Sequence, residues 1–343
     1  MNGEPQSNYV SVNGLEMYYE DRGAGQPLVL LHGAFSAIGT SFGSVLLELA
    51  ETRRVIAFEM QAHGRTADID RPLSMEQMAD DTVAALQQLG IEEADFFGFS
   101  MGAGVAVRVA LRHPEMVRKL VLASVTYRLD GVQPGLMEGL GEMKPEMMHG
   151  SPWHEEYVRI APRPGDFATL FAKKTQMDQN IEDLPADAVE AIEAPTLLVI
   201  GDSDIVRPEH AVEMFRLLGG GVMGDLAGLP KPQLAILPGT THATLVERGE
   251  WLASMIGEFL DAPMPEAERT AGGGAWRASS TWPTSRGDDP HEFQCYHHDS
   301  GVSFIVVDAP PGAARSCTGI PTRRSSWCRR APPRSPRARK SSR

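Results

Sequence analysis

Apolar and polar positions along the chain change period in a regular order. Tyr9-Val-Ser-Val12 and Leu15-Glu-Met-Tyr-Tyr19 alternate around Asn13-Gly14, which predicts a β-hairpin closed by a tight turn. Pro27-Leu-Val-Leu-Leu31 is apolar throughout and runs into His32-Gly33, the pattern of a strand covered on both faces. Ser41 to Leu49 reads as a helix and Arg54 to Phe58 as a strand. Ser74 with Gln77 reads as a capping box opening a helix through Leu89. Phe96 to Phe99 is a short buried strand. Val105, Val109 and Ala110 then recur at helical spacing, up to about His113-Pro114, and Lys119 to Ala123 is a further strand.

The order resumes later with a strand Pro195 to Gly201 and a helix from about Glu209 to Leu218. A strand Gln233 to Leu237 and a helix from about Glu250 to Leu260 complete it. Strands alternating with helices at this spacing predict an α/β fold, a mainly parallel doubly wound sheet with helices on both faces. The rhythm breaks between about 125 and 194. That stretch has no strand pattern, is punctuated by prolines and contains Met137, Met143, Met147, Met148 and Met177. A helical insert there, over the carboxyl edge of the sheet, predicts a lid whose thioethers wall an adaptable apolar pocket.

At 343 residues and 42% hydrophobic, the composition is that of a globular protein. No apolar run reaches a membrane-spanning length, and the N-terminus has neither the basic start nor the apolar core of a secretory signal. The three cysteines, Cys295, Cys317 and Cys328, fall in the last fifty residues, so the body carries no disulfide and a cytoplasmic setting is expected. The net charge of −13 hides an asymmetry. Residues 315–343 hold ten Arg or Lys and no acid, and removing those ten leaves −23 on the first 314 residues. Nucleic acid is therefore not an expected partner of the body.

Chemistry concentrates at Gly98-Phe-Ser100-Met-Gly102, where a strand runs directly into a helix with a serine at the apex. So tight a turn strains the serine backbone and leaves no room for side chains two residues to either side. It also aims the Met101 N–H and the positive end of the helix at any negative charge forming beside Ser100. A serine hydroxyl needs a base, and the base an orienting carboxylate, on loops past the carboxyl ends of later strands. Gly201-Asp-Ser-Asp204 and Gly239-Thr-Thr-His242 meet that condition, in the order Ser100, Asp204, His242. Asp202 competes with Asp204, which is preferred for its position relative to Val206-x-Pro208. His242 is the histidine that follows the final strand of the sheet.

With Leu31-His32-Gly33, these signatures make residues 8–261 resemble a lidded α/β-hydrolase of the serine esterase, lactonase and peptidase kind. The resemblance implies Ser100 as nucleophile, His242 as general base and acid, and Asp204 as orienter. It implies an oxyanion hole from the backbone N–H groups of Ala34 or Phe35 and of Met101. His63-Gly64 matches the family's histidine-glycine loop, where the histidine is structural, and Glu59 stands where an aspartate is common. Serine at the elbow argues against the dehalogenase and epoxide-hydrolase branches. A small ester, thioester or lactone is the expected substrate. Carbon–carbon bond cleavage, aminopeptidase action and perhydrolysis on the same triad remain alternatives, as does a non-catalytic ligand-binding protein. No cofactor or metal is expected.

Beyond the hydrolase domain (1–261), residues 262–290 read as a Pro/Gly/Ser/Thr-rich linker, and Gly301 to Asp308 as one strand. Val302 to Gly312 resembles the opening of a small cupin barrel, which makes 291–314 a truncated cupin-like remnant. The metal-binding pattern that should follow is absent, and His291, His297 and His298 do not replace it. Permitted codons for Arg315 onward, read two bases on, encode Lys-Leu-His-Arg-His-Pro-Tyr-Glu-Glu-Val-Phe-Val-Val-Gln-Glu-Gly, which fits the missing pattern. The basic tail 315–343 is therefore expected to be disordered, out-of-frame sequence. A basic arm for RNA or an anionic surface is the competing reading.

Overall fold

The computed structural model describes residues 6–264, 294–297 and 303–306. Eight strands form one sheet: β1 Gln6–Val12, β2 Leu15–Gly23, β3 Pro27–Leu31, β4 Arg54–Phe58, β5 Ala94–Phe99, β6 Val117–Ala123, β7 Thr196–Ser203 and β8 Gln233–Thr241. Their spatial order is β1-β2-β4-β3-β5-β6-β7-β8. The first two pairings are antiparallel and every later one is parallel. This is the expected mainly parallel doubly wound sheet. Asn13 and Gly14 close the β1–β2 hairpin with φ of 49° and 80°, the left-handed pair a two-residue turn needs.

Helices alternate with the strands. The first are α1 Ile38–Phe42, α2 Leu46–Leu49, α3 Met75–Gln88 and α4 Met101–Arg112. Within the insert lie α5 Leu136–Glu142, α6 Pro152–Ile160, α7 Phe167–Gln179 and α8 Ala186–Glu190. After β7 come α9 Pro208–Leu217, α10 Gly224–Ala227, α11 His242–Leu245 and α12 Gly249–Asp261.

Period-two alternation sends each strand's side chains into two cores. Val29, Leu31, Ile56, Phe96 and Leu122 pack on one face with Val83 and Leu86 of α3 and Val105 and Val109 of α4. Leu28, Leu30, Val55, Phe97 and Val121 pack on the other with Phe42 and with Leu252, Ile256 and Phe259 of α12. Cations on β6 and just before β4 hold the C-terminal end of α12, where helix carbonyls lack partners. The buried Lys119 ammonium donates to the carbonyls of Phe259 (2.9 Å), Leu260 (3.1 Å) and Ala262. Arg53 reaches Gly257 O at 3.3 Å and pairs with Asp261.

Two local readings differ from the sequence pattern. The single helix expected over 41–49 is divided into α1 and α2 at Gly43-Ser44. There the Ser44 hydroxyl donates to Val246 O, and a Cβ on Gly249 would stand 2.6 Å from Ser44 O. The break thus lets α12 start against this corner. Ser74 caps α3 as expected, accepting from Gln77 N at 3.0 Å, but the Gln77 amide donates to Asp81 at 3.1 Å instead of closing the box.

Residues 294–297 and 303–306 pair antiparallel as β9 Gln294–His297 and β10 Ser303–Val306, so the strand read over 301–308 is described over 303–306 and has a partner there. The rest of the linker, of the cupin-like remnant and the whole basic tail fall outside the described residues. No described helix is long and apolar enough to cross a membrane.

Glu59, just past β4, ties together the loops that follow β3 and β4. Its fully buried carboxylate accepts from Ile38 N at 3.4 Å, from Arg65 N at 2.5 Å and from the Arg65 guanidinium at 2.9 Å. Burial pushes the carboxyl up to about 7 against the pull of those donors. Since the folded value exceeds the ordinary 4.5, the stability this proton confers is complete below pH 4.5 and is lost as pH rises through about 7. Glu59→Gln has no such proton. In urea unfolding, the wild type is expected to lose up to about 3 kcal/mol relative to that variant between pH 4.5 and 8. A difference that stays level over the range contradicts the account.

Candidate active site

Ser100 ends β5 and opens α4. Its backbone is left-handed, φ 53° and ψ −118°, a conformation costly for a residue with a side chain. The surroundings enforce it. Ser100 N–H donates to Ala123 O at 2.8 Å on the adjacent strand. A Cβ on Gly102 would overlap the Leu31 and His32 backbone, and one on Gly98 would meet the Ala103 backbone. Both glycines of the motif are therefore demanded by packing.

Asp204 and His242 are brought together by the ends of β7 and β8. A register shift between Gly201 and Ser203 sets Ser203 opposite Thr241, so the residue after each faces its counterpart. A Cβ on Gly201 would run into Thr240 O, so only glycine lets the two strands approach this closely. His242 Nδ1 lies 3.0 Å from Asp204 Oδ1, and His242 Nε2 lies 3.0 Å from Ser100 Oγ. Phe99 stacks on the imidazole with ring centres 5.0 Å apart. The structure thus joins Ser100, His242 and Asp204 in one hydrogen-bonded chain.

Further groups, which the sequence pattern does not single out, support this chain. Ser124 Oγ donates to Asp204 Oδ2 at 2.5 Å, with Gly201 N–H on the same oxygen at 3.2 Å and Val206 N–H on Oδ1 at 3.3 Å. Burial pushes the Asp204 carboxyl up, but His242, Ser124 and Gly201 together hold it below the ordinary carboxylate range. Ser124 had a legible signal, because it directly follows an apolar strand at the carboxyl edge of the sheet. Asp202, the rejected alternative, accepts from Gly239 N at 2.9 Å and Thr240 N at 3.1 Å, so it secures the loop carrying His242.

Ala34 and Phe35 follow β3 and line the same cavity as Ser100 and Met101. Phe35 takes a φ of 60°, and its ring stacks on Phe171 of α7 at 5.4 Å. Among the described residues, the backbone N–H groups of Ala34, Phe35 and Met101 have no protein acceptor. His32 fixes this turn: its Nδ1–H donates to Gly33 O at 2.8 Å, and its Nε2 accepts from Met60 N at 3.0 Å. Burial pushes the His32 imidazole down to about 4, so it stays neutral. His63 is buried beside it, with ring centres 5.0 Å apart.

The cavity has a volume of about 390 Å³. Its walls include Leu136, Met137 and Leu140 of α5, Met143, Met148, Trp153, and Phe171 of α7. The insert therefore shares a cavity with Ser100 and gives it largely apolar walls. Of the methionines singled out in the sequence, Met137, Met143 and Met148 line this cavity, Met177 packs in the core and Met147 is exposed. Among the described residues, no group of three His, Cys, Asp or Glu is arranged to hold a metal ion.

Comparison with known proteins agrees with this architecture. A family model described as alpha/beta hydrolase fold matches residues 26–180. A 2-hydroxymuconate semialdehyde hydrolase of Pseudomonas sp. strain CF600 is 29% identical over 269 residues, covering 72% of this chain and 91% of the relative. A putative non-heme haloperoxidase of Mycobacterium phage D29 is 38% identical over 185 residues, 53% of this chain and 56% of its own length. Among solved structures, a meta-cleavage product hydrolase from Pseudomonas fluorescens IP01 superposes with a TM-score of 0.61 at 22% identity. That match covers 76% of this chain and 97% of the other. Fold, motif order and sequence similarity together give this chain the α/β-hydrolase fold.

Proposed function

We propose that the protein is a serine hydrolase that cleaves a small carboxylic ester, thioester or lactone through an acyl-enzyme. The observation carrying this reading is the Asp204–His242–Ser100 chain, with 3.0 Å at each link, ending on a strained serine at the wall of an apolar cavity. In this mechanism His242 Nε2 takes the Ser100 proton as Oγ attacks the substrate carbonyl carbon. Asp204 keeps the imidazole in the tautomer with hydrogen on Nδ1 and balances its positive charge. The tetrahedral oxyanion accepts from the Met101 N–H and from Ala34 or Phe35. Its collapse breaks the bond to the leaving group, which receives the proton from His242. Water then deacylates Ser100 by the same route in reverse.

The apolar roof of Met137, Met143 and Met148 supports a mainly apolar acyl group, and its helices act as a lid. A cytoplasmic setting fits a body with no cysteine before Cys295. One other reading has specific support. A sequence relative is named 2-hydroxymuconate semialdehyde hydrolase and a structural neighbour meta-cleavage product hydrolase, which supports carbon–carbon bond cleavage by the same triad. Turnover of 2-hydroxymuconate semialdehyde in place of esters would select it.

The ester reading is tested with p-nitrophenyl esters of short and medium acids. Ser100→Ala is expected to lower kcat at least ~10³-fold, and Asp204→Asn ~10²–10⁴-fold, with the fold intact by circular dichroism. Ester turnover that survives Ser100→Ala overturns the assignment of the nucleophile.

A further inference from the structure

The cavity beside Ser100 continues past the reacting centre. One stripe of α4 lines it, from Met101 past Gly104 to Arg108. A second hollow, of about 260 Å³, lies against Arg108 between the start of α3 and the end of α7. A Cβ on Gly104 would stand 2.7 Å from Met75 Sδ, so the flexible Met75 thioether packs on bare helix backbone between Ser100 and Arg108.

Arg108 is 7% exposed, yet it lines both hollows. Its Nε–H donates to Glu76 Oε1 at 3.2 Å, and its two terminal nitrogens meet no protein acceptor among the described residues. The Glu76 side chain is 51% exposed, so water screens much of its charge. Lys174, the other buried cation of the lining, is instead held by Asp178 one turn along α7, and that carboxylate is mostly buried. Arg108 therefore offers a permanent charge and a free planar fork, the geometry that matches a carboxylate.

We propose that Arg108 is a specificity-determining residue that binds a carboxylate at the far end of the substrate's acyl chain; this rests on the serine-hydrolase reading. Eight residues of helix separate Ser100 from Arg108, ~12 Å along the axis, and the arginine side chain leans back toward the helix start. With ~4 Å taken by the guanidinium–carboxylate contact, at most ~8 Å remains and the lean shortens it further, so the gap suits a chain of up to about six carbons. Half-esters of adipic acid meet that requirement.

The test compares mono-p-nitrophenyl adipate with neutral p-nitrophenyl hexanoate, using wild type, Arg108→Met, Arg108→Lys and Glu76→Gln. Arg108→Met is expected to lower kcat/KM for the adipate ~10–150-fold, mainly through KM, while hexanoate changes less than ~3-fold. Arg108→Lys should recover part of the loss. Glu76→Gln frees the guanidinium and should raise the adipate-to-hexanoate ratio. If Arg108 serves only to pin α4 to α3, both Arg108→Met and Glu76→Gln break the same ion pair and depress the two esters alike. That result overturns the proposal.

Calorimetric titration with adipic acid monoamide and hexanamide separates this site from catalysis. Monoamide binding lost in Arg108→Met, with hexanamide unaffected, supports the anion site even if neither ester is hydrolysed, in which case the hydrolase reading alone fails. Equal binding of the monoamide to wild type and Arg108→Met rejects the anion site even if both esters are turned over.

Discussion

The charge on Asp204 is what the site's geometry is built to satisfy. The carboxylate is buried at the junction of three strand ends and receives a donor from each of them. Ser124 comes from the end of β6, Gly201 and Val206 flank the end of β7, and His242 follows β8. A buried carboxylate without such partners takes up a proton rather than stay charged. Here the donors outweigh burial, and the group remains the acceptor that an imidazolium at His242 requires. Meeting that demand also fixes how the three strand ends lie relative to one another. The bulge at Gly201 and Asp202's grip on the following loop serve the same alignment.

On the other side of the imidazole, strain does the positioning. Ser100 and Phe35 both hold positive φ, and each is braced by close contacts. Ser100 is held by backbone that leaves no volume at Gly98 or Gly102, Phe35 by the turn that neutral His32 fixes and by the ring of Phe171. A proposed nucleophile and its proposed oxyanion donors thus rest on rigid parts of the sheet, while the roof above them is made of short helices rich in methionine. This division suits a site whose chemistry is fixed and whose substrate volume can adapt.

Much of this was legible in the sequence because the relevant signals are local. The continuous apolar run of β3 and the alternation around Asn13-Gly14 each follow from the side-chain period. The order Ser100, Asp204, His242 follows from strand ends. What escaped has a long-range cause. The split between α1 and α2 depends on α12, some two hundred residues later, starting against Ser44. Ser124, the partner of Asp204 that the pattern did not single out, comes from a segment eighty residues away. Arg108 follows Gly104 and Val105 on its helix face, a signal visible in sequence, but only the folded insert shows that this face borders a cavity. Asp204 is preferred to Asp202 for its position relative to Val206-x-Pro208, and its burial and its contact with His242 agree with that choice.

The most direct test of the account is covalent labelling of the native protein with a fluorophosphonate, followed by intact mass and peptide mapping. One adduct, on Ser100, that forms far more slowly in Asp204→Asn and is absent in Ser100→Ala is the predicted result. Labelling at another residue, or none while the protein remains folded, would contradict the claim that the strained serine is an activated nucleophile.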